Sequence, residues 1–123
     1  MEITFDKERA LQCFQKQNEI PRDEIEILYS NDYWDGPLNG LCKWNSEEYY
    51  FLWTGEMSKE DEIIRRFFII KLTLTQLQKE KNNHALFEKA KEENTLQEFY
   101  KAEKENVILD IAQMVGWVDY TSK

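Results

Sequence analysis

The chain has 123 residues, enough for one domain with a proper core. Its 41% hydrophobic fraction is low and its 33% charged fraction high, yet 4 Trp, 6 Tyr and 7 Phe argue against disorder, since each aromatic can bury roughly 150–250 Å². A formal net charge of −8 argues against general nucleic-acid binding, which rests on phosphate neutralisation.

The charge is unevenly spread. Residues 1–30 carry seven acids and four bases, and residues 31–64 carry eight and two. Residues 65–91 reverse this with seven bases and two acids, and residues 92–123 return to seven acids against three bases. No apolar run approaches the ~20 residues of a membrane span. The start MEITFDKERA has no apolar signal region, so a cytoplasmic protein without membrane contact is expected. Cys13 and Cys42 have no framework spacing, so both are expected as free thiols.

Ile3-Thr4-Phe5 suits either a short strand or an apolar lead-in. Asp6 is placed to cap a helix running to about Gln17, with Ala10, Leu11 and Phe14 on one face, and Pro21 closes that unit. Glu24 to Ser30 alternates charged and apolar residues before turning apolar, the pattern of a first strand. Turn residues follow at Asp35-Gly36-Pro37-Leu38-Asn39-Gly40. Leu41 to Trp44 reads as a second strand, Asn45-Ser46-Glu47-Glu48 as a hairpin turn, and Tyr49 to Trp53 as a third strand. Thr54 to Asp61 is a polar connection whose tip, Ser58-Lys59-Glu60-Asp61, is the expected mobile spot.

Arg65 to Leu72 predicts a strand, and its apolar residues on both faces from Phe67 to Ile70 make it central or covered on both sides. Thr73-x-x-Gln76 is a capping box for a helix running to about Glu92, with Leu77, His84 and Phe87 or Ala85 near one stripe. A second box, Thr95-x-x-Glu98, predicts another helix carrying Leu96, Phe99 and Tyr100 and failing near Asn106. Val107 to Trp117 is ambiguous: Val107 to Ala112 suits a helical extension, while Met114 to Tyr120 resembles an edge strand. The order favours a single α+β domain over 1–123, with a small antiparallel sheet of three to five strands packed with an N-terminal helix and two C-terminal helices.

Tyr29 to Trp53 holds eight of the seventeen aromatics, two of the four glycines and one of the two prolines. Its segment Asp32-Tyr33-Trp34-Asp35-Gly36-Pro37-Leu38-Asn39-Gly40, followed by Leu41-Cys42 and an aromatic strand, resembles a group of small uncharacterised bacterial proteins. In that group a W-D-G-P-L-x-G segment precedes a hairpin. The later Arg65-Arg66-Phe67 and Leu72-Thr73-Leu74-Thr75-Gln76 extend the resemblance to about half the chain. It implies a shared fold and carries no activity.

Chemistry-bearing residues are few. His84 is the only histidine, without a second ligand at metal spacing, and reads as a packing or partly exposed residue. Cys42 in an apolar strand reads as a buried thiol more readily than as a nucleophile partnered by His84. Asp32 and Asp35 suit turn formation first and ligand or partner contact second, with paired-carboxylate chemistry behind both. Trp34, Trp44, Tyr49, Tyr50 and Trp53 are expected to divide between two faces, because alternate strand residues point oppositely. Arg65 and Arg66 suit a solvated strand edge or, more sharply, a clamp for phosphate or carboxylate.

No cofactor or metal is implied. The reading that fits best is a non-enzymatic protein that binds another protein, of inhibitor, immunity or anti-defence type. Asp32, Tyr33, Trp34, Asp35, Trp44, Tyr50, Arg65 and Arg66 would form its contact surface, because interface cores favour Trp, Tyr and Arg. A binder of a small anionic, nucleotide-like ligand, using loop aromatics with Arg65 and Arg66, is the second reading. A hydrolase using Asp32 or Asp35 is the third.

Overall fold

A computed structural model describes residues 2–33, 37–57, 64–103 and 105–121, with the backbone alone described at 32, 33, 56, 57, 64 and 121. The elements are β1 (Glu2–Thr4), α1 (Lys7–Gln12), β2 (Glu26–Tyr33), β3 (Pro37–Trp44), β4 (Glu47–Met57), β5 (Ile64–Ile70), α2 (Leu74–Glu92), α3 (Leu96–Lys101), β6 (Asn106–Ile108) and β7 (Met114–Thr121). Three short 3-10 turns, at Lys16–Asn18, Arg22–Glu24 and Ile111–Gln113, add to the helices, so the helical inventory is larger than expected. The class is mixed α+β. The chain forms two compact units, one of Met1–Phe5 with Leu72–Leu109 and one of Asp6–Lys71 with Asp110–Lys123.

The larger unit is a five-stranded antiparallel sheet in the order β2-β3-β4-β5-β7. The first four strands meander, and β7 returns to pair with β5, which makes β5 central as its apolar run requires. Phe67, Phe68, Ile69 and Ile70 are all 0% exposed, contributing roughly 1.5–3 kcal/mol each to folding. Alternation sends Cys42, Tyr49, Phe51, Phe67, Ile69 and Val118 to one face, where Ile20 and Ile25 pack on them. Leu41, Tyr50, Leu52, Phe68, Ile70 and Trp117 are buried on the other. Phe14 joins that second face, its ring 5.5 Å from Phe68 and stacked 5.1 Å from Trp117.

Phe14 also explains why α1 is shorter than its periodicity predicts. Asp6 caps it, accepting a 3.1 Å bond from the Arg9 N–H, but the helix stops at Gln12. Beyond Cys13 the Gln15 carbonyl accepts the Trp117 indole N–H at 3.1 Å, a long-range bond that holds the chain out of helix.

The β3–β4 turn is tighter than the four residues expected. Asn45 and Ser46 alone form it, with φ of 50° and 64°, as a two-residue primed turn requires, and Glu47 already pairs with Trp44. Pro37 to Gly40 likewise belong to β3 rather than to a turn, because Tyr33 pairs with Pro37 and Ser30 with Gly40. A Cβ on Gly40 would meet the Tyr29 carbonyl oxygen at 2.1 Å, so only glycine allows this approach of β2 and β3.

In the smaller unit, β1 pairs with β6 in parallel, and α2 is followed by α3. The Thr73 box forms as expected: the Thr73 hydroxyl accepts the Gln76 N–H and the Gln76 side chain accepts the Thr73 N–H. The Thr95 box does not. Asn94 at φ 58° ends α2 in a Schellman turn, with Thr95 N–H donating to the Ala90 carbonyl at 2.8 Å and Asn94 N–H to Lys91 at 3.3 Å. Thr95 thus belongs to the end of α2, and its side chain makes no capping bond to α3. The ambiguous stretch from Val107 resolves into β6, a 3-10 turn capped by Asp110, and β7.

Candidate functional site

The β2–β3 hairpin is built by side chains as well as by the ladder. Ser30 Oγ donates to the Asn39 carbonyl at 3.0 Å. Pairing slips between Ile27 and Tyr29, between Ser30 and Asp32 and again between Asp32 and Tyr33, three irregularities that distort the ladder. Among the described residues β2 pairs only with β3, and Leu28, within the first register shift, is 42% exposed. Asp32 and Tyr33 lie at the end of β2. Trp34 and Asp35, the residues on which the sequence reading leans most, lie outside the described residues, as does the 58–61 tip.

The opposite edge is covered. The Ile20 N–H donates to the Trp117 carbonyl at 2.8 Å, and Glu19 bridges to Trp117 in parallel. A Cβ on Gly116 would stand 2.6 Å from the Asn18 carbonyl oxygen, so this cover also depends on a glycine. The two edges of the sheet therefore differ among the described residues: β7 carries a backbone bridge at Trp117, and β2 pairs only with β3.

The remaining predicted residues do not share one surface. Trp44 is half-buried on the Cys42 face, its ring 5.5 Å from Tyr49 and its indole N–H bonded to Glu24 Oε1 at 3.2 Å. Tyr50, 2% exposed, lies on the other face. Arg65 and Arg66 sit in the central strand, not at a solvated edge. Arg65 is 2% exposed with its guanidinium 5.2 Å from the Trp53 ring centroid, an aromatic face that helps offset the cost of burying a cation. Arg66 forks onto Asp119, with Nε 2.8 Å from Oδ1 and Nη2 3.1 Å from Oδ2, and lies over the Trp117 ring at 4.4 Å. An anion taken up by Arg66 would have to compete with that carboxylate.

The titratable groups are placed for packing. Burial pushes the Cys42 thiol up to about 12, so at neutral pH it is a protonated, weakly nucleophilic group. Cys13 and Cys42 are both free, the first exposed and the second buried. Burial lowers the pKa of His84, against the opposing pull of Glu88 3.9 Å away. Among the described residues no group of three His, Cys, Asp or Glu side chains is placed to hold a metal ion, and no helix is long and apolar enough to cross a membrane.

A second concavity, not foreseen from the sequence, lies in the smaller unit. Lys79, Asn82, Asn83 and Leu86 of α2 line it on one side, and Phe99, Ala102, Glu103 and Glu105 on the other, around about 230 Å³. The i, i+3, i+4, i+7 spacing of its α2 residues was visible, but an amide-rich stripe with Leu86 as its one large apolar residue does not announce a groove.

No family model, curated protein or solved structure matches the chain.

Proposed function

We propose that the chain acts without catalysis, by binding another protein through the β2–β3 hairpin and the outer edge of β2. The observation that supports the reading is the contrast between the two sheet edges among the described residues: β7 carries a backbone bridge from Glu19 and Ile20 at Trp117, while β2 pairs only with β3 and Leu28 is exposed. Strands at the end of a sheet are sites at which other chains dock unless they are covered or distorted. The three register shifts along β2 disfavour a long added ladder, so a partner would be held chiefly by side chains. Leu28 and the acidic and aromatic residues of the sequence from Asp32 to Asp35, namely Asp32, Tyr33, Trp34 and Asp35, would supply them to a basic partner surface. The buried Cys42 thiol, protonated at neutral pH, is not a ready nucleophile.

Immobilised parent protein and a Leu28→Lys variant, compared by quantitative mass spectrometry of what each retains, test the reading. A protein retained by the parent and lost from the folded variant supports it. Retention that is the same for both refutes the assignment to this edge.

A further inference from the structure

We propose that the groove between α2 and α3 binds a single aromatic ring that carries a cationic amine. Size sets the first limit. A space of about 230 Å³ is smaller than the roughly 300–1,000 Å³ of ordinary cofactor and ligand pockets, so a dinucleotide or a flavin does not fit, while one or two fused rings do.

The walls set the second. Phe99 offers a ring already held edge-on by Phe87 at 5.8 Å and by Tyr100 at 5.7 Å, so it presents a fixed aromatic surface. Leu86, 59% exposed, stands at the mouth, where an entering ring would cover it. Offset or edge contact with Phe99 and burial of Leu86 favour a flat apolar group over a sugar or a free phosphate.

Charge sets the third. Among the described residues the lining holds one ammonium, Lys79, and two carboxylates, Glu103 and Glu105. Lys79 Nζ is 2.6 Å from Glu105 Oε1, so these two largely cancel and Glu103 gives the rim its net sign. A cation borne on the ring's side chain meets Glu103, whereas a carboxylate there meets repulsion. Two sources share this chemistry: a free aryl-alkyl amine, or an aromatic side chain beside a lysine on a protein.

Titration of the full-length, isotopically labelled protein with tryptamine, indole-3-acetate and acetyl-Lys-Trp-amide, followed by backbone amide NMR, tests the proposal. Tryptamine is expected to shift amides within residues 79–105 saturably, and to bind about threefold to tenfold more tightly than indole-3-acetate, as a rim carboxylate warrants. Glu103→Lys should abolish or reverse that preference, and Leu86→Arg, at an exposed position, should remove binding with the spectrum otherwise unchanged. Tighter binding of the peptide than of tryptamine assigns the groove to a protein's side chain, and equal or weaker binding assigns it to a free amine. No saturable shift, shifts centred elsewhere, or equal affinity for the two indoles overturns the proposal.

Discussion

The Arg66 guanidinium lies 4.4 Å from the Trp117 ring centroid while its fork closes on Asp119, and Trp117 in turn stacks on Phe14 at 5.1 Å. Residues from β5, β7 and the segment after α1 are thereby joined in one stack. A lysine reproduces the charge and neither the fork nor the planar stacking. Arg66→Lys should therefore lower stability by about 1 kcal/mol in urea melts, a modest figure because the pair is about one-third exposed. Asp119→Asn should cost a similar amount, and the double variant less than the sum, since both changes break the same contact. Strict additivity would mean the pair contributes nothing jointly.

Gly40 makes a sharper case. Its Cβ would lie 2.1 Å from the Tyr29 carbonyl oxygen, a backbone clash that no rotamer change relieves. Gly40→Ala should cost about 2 kcal/mol or more and disturb the β2–β3 pairing before the rest of the sheet. Hydrogen exchange resolves the order: Ser30 and Tyr29 amides should lose protection first. Gly55 has φ of +93° with nothing within 4 Å of an added Cβ, so Gly55→Ala should show backbone strain alone and a smaller loss.

The two threonine boxes part company. Thr73→Ala removes a formed cap and should cost about 1 kcal/mol. Thr95→Ala removes only a long 3.5 Å bond to the Ala90 carbonyl and should cost less than half as much. Equal losses in denaturant melts would mean that α3 depends on Thr95 after all.

Alkaline pH probes Cys42. Its pKa is raised on folding, from 9.0 to about 12, so the thiol's contribution to stability is intact below pH 9 and is lost as pH rises from 9 toward 12. The loss approaches about 1.4 kcal/mol per pH unit in that window. Cys42→Ala should be less stable than the parent by about 1–2 kcal/mol at pH 7, and the gap should narrow above pH 9. Under native conditions a thiol reagent should modify Cys13 quickly and Cys42 only on unfolding.

Local rules with one governing interaction were legible in the chain: the Asp6 and Thr73 caps, the central strand at Phe67 to Ile70, the fold class, and strand pairing around Asn45 and Ser46. What escaped was decided elsewhere in the sequence. α1 ends early because Trp117 claims the Gln15 carbonyl, and Thr95 fails as a cap because Asn94 has already turned the chain. The candidate surface was read less well, since period-two alternation shows that Tyr50 and Trp44 face apart but not that Arg66 meets Asp119 fifty-three residues on. The α2–α3 groove had no apolar stripe to betray it.

The comparison that bears most directly on partner binding at the hairpin is the affinity of the retained partner, by calorimetry, for folded parent, Trp34→Ala and His84→Ala proteins. An anchor at the hairpin tip predicts that Trp34→Ala weakens binding by about 2 kcal/mol or more, roughly thirtyfold, while His84→Ala stays within about 0.5 kcal/mol of the parent. Folded Trp34→Ala protein that binds as the parent does, beside His84→Ala protein that no longer binds, would contradict the account.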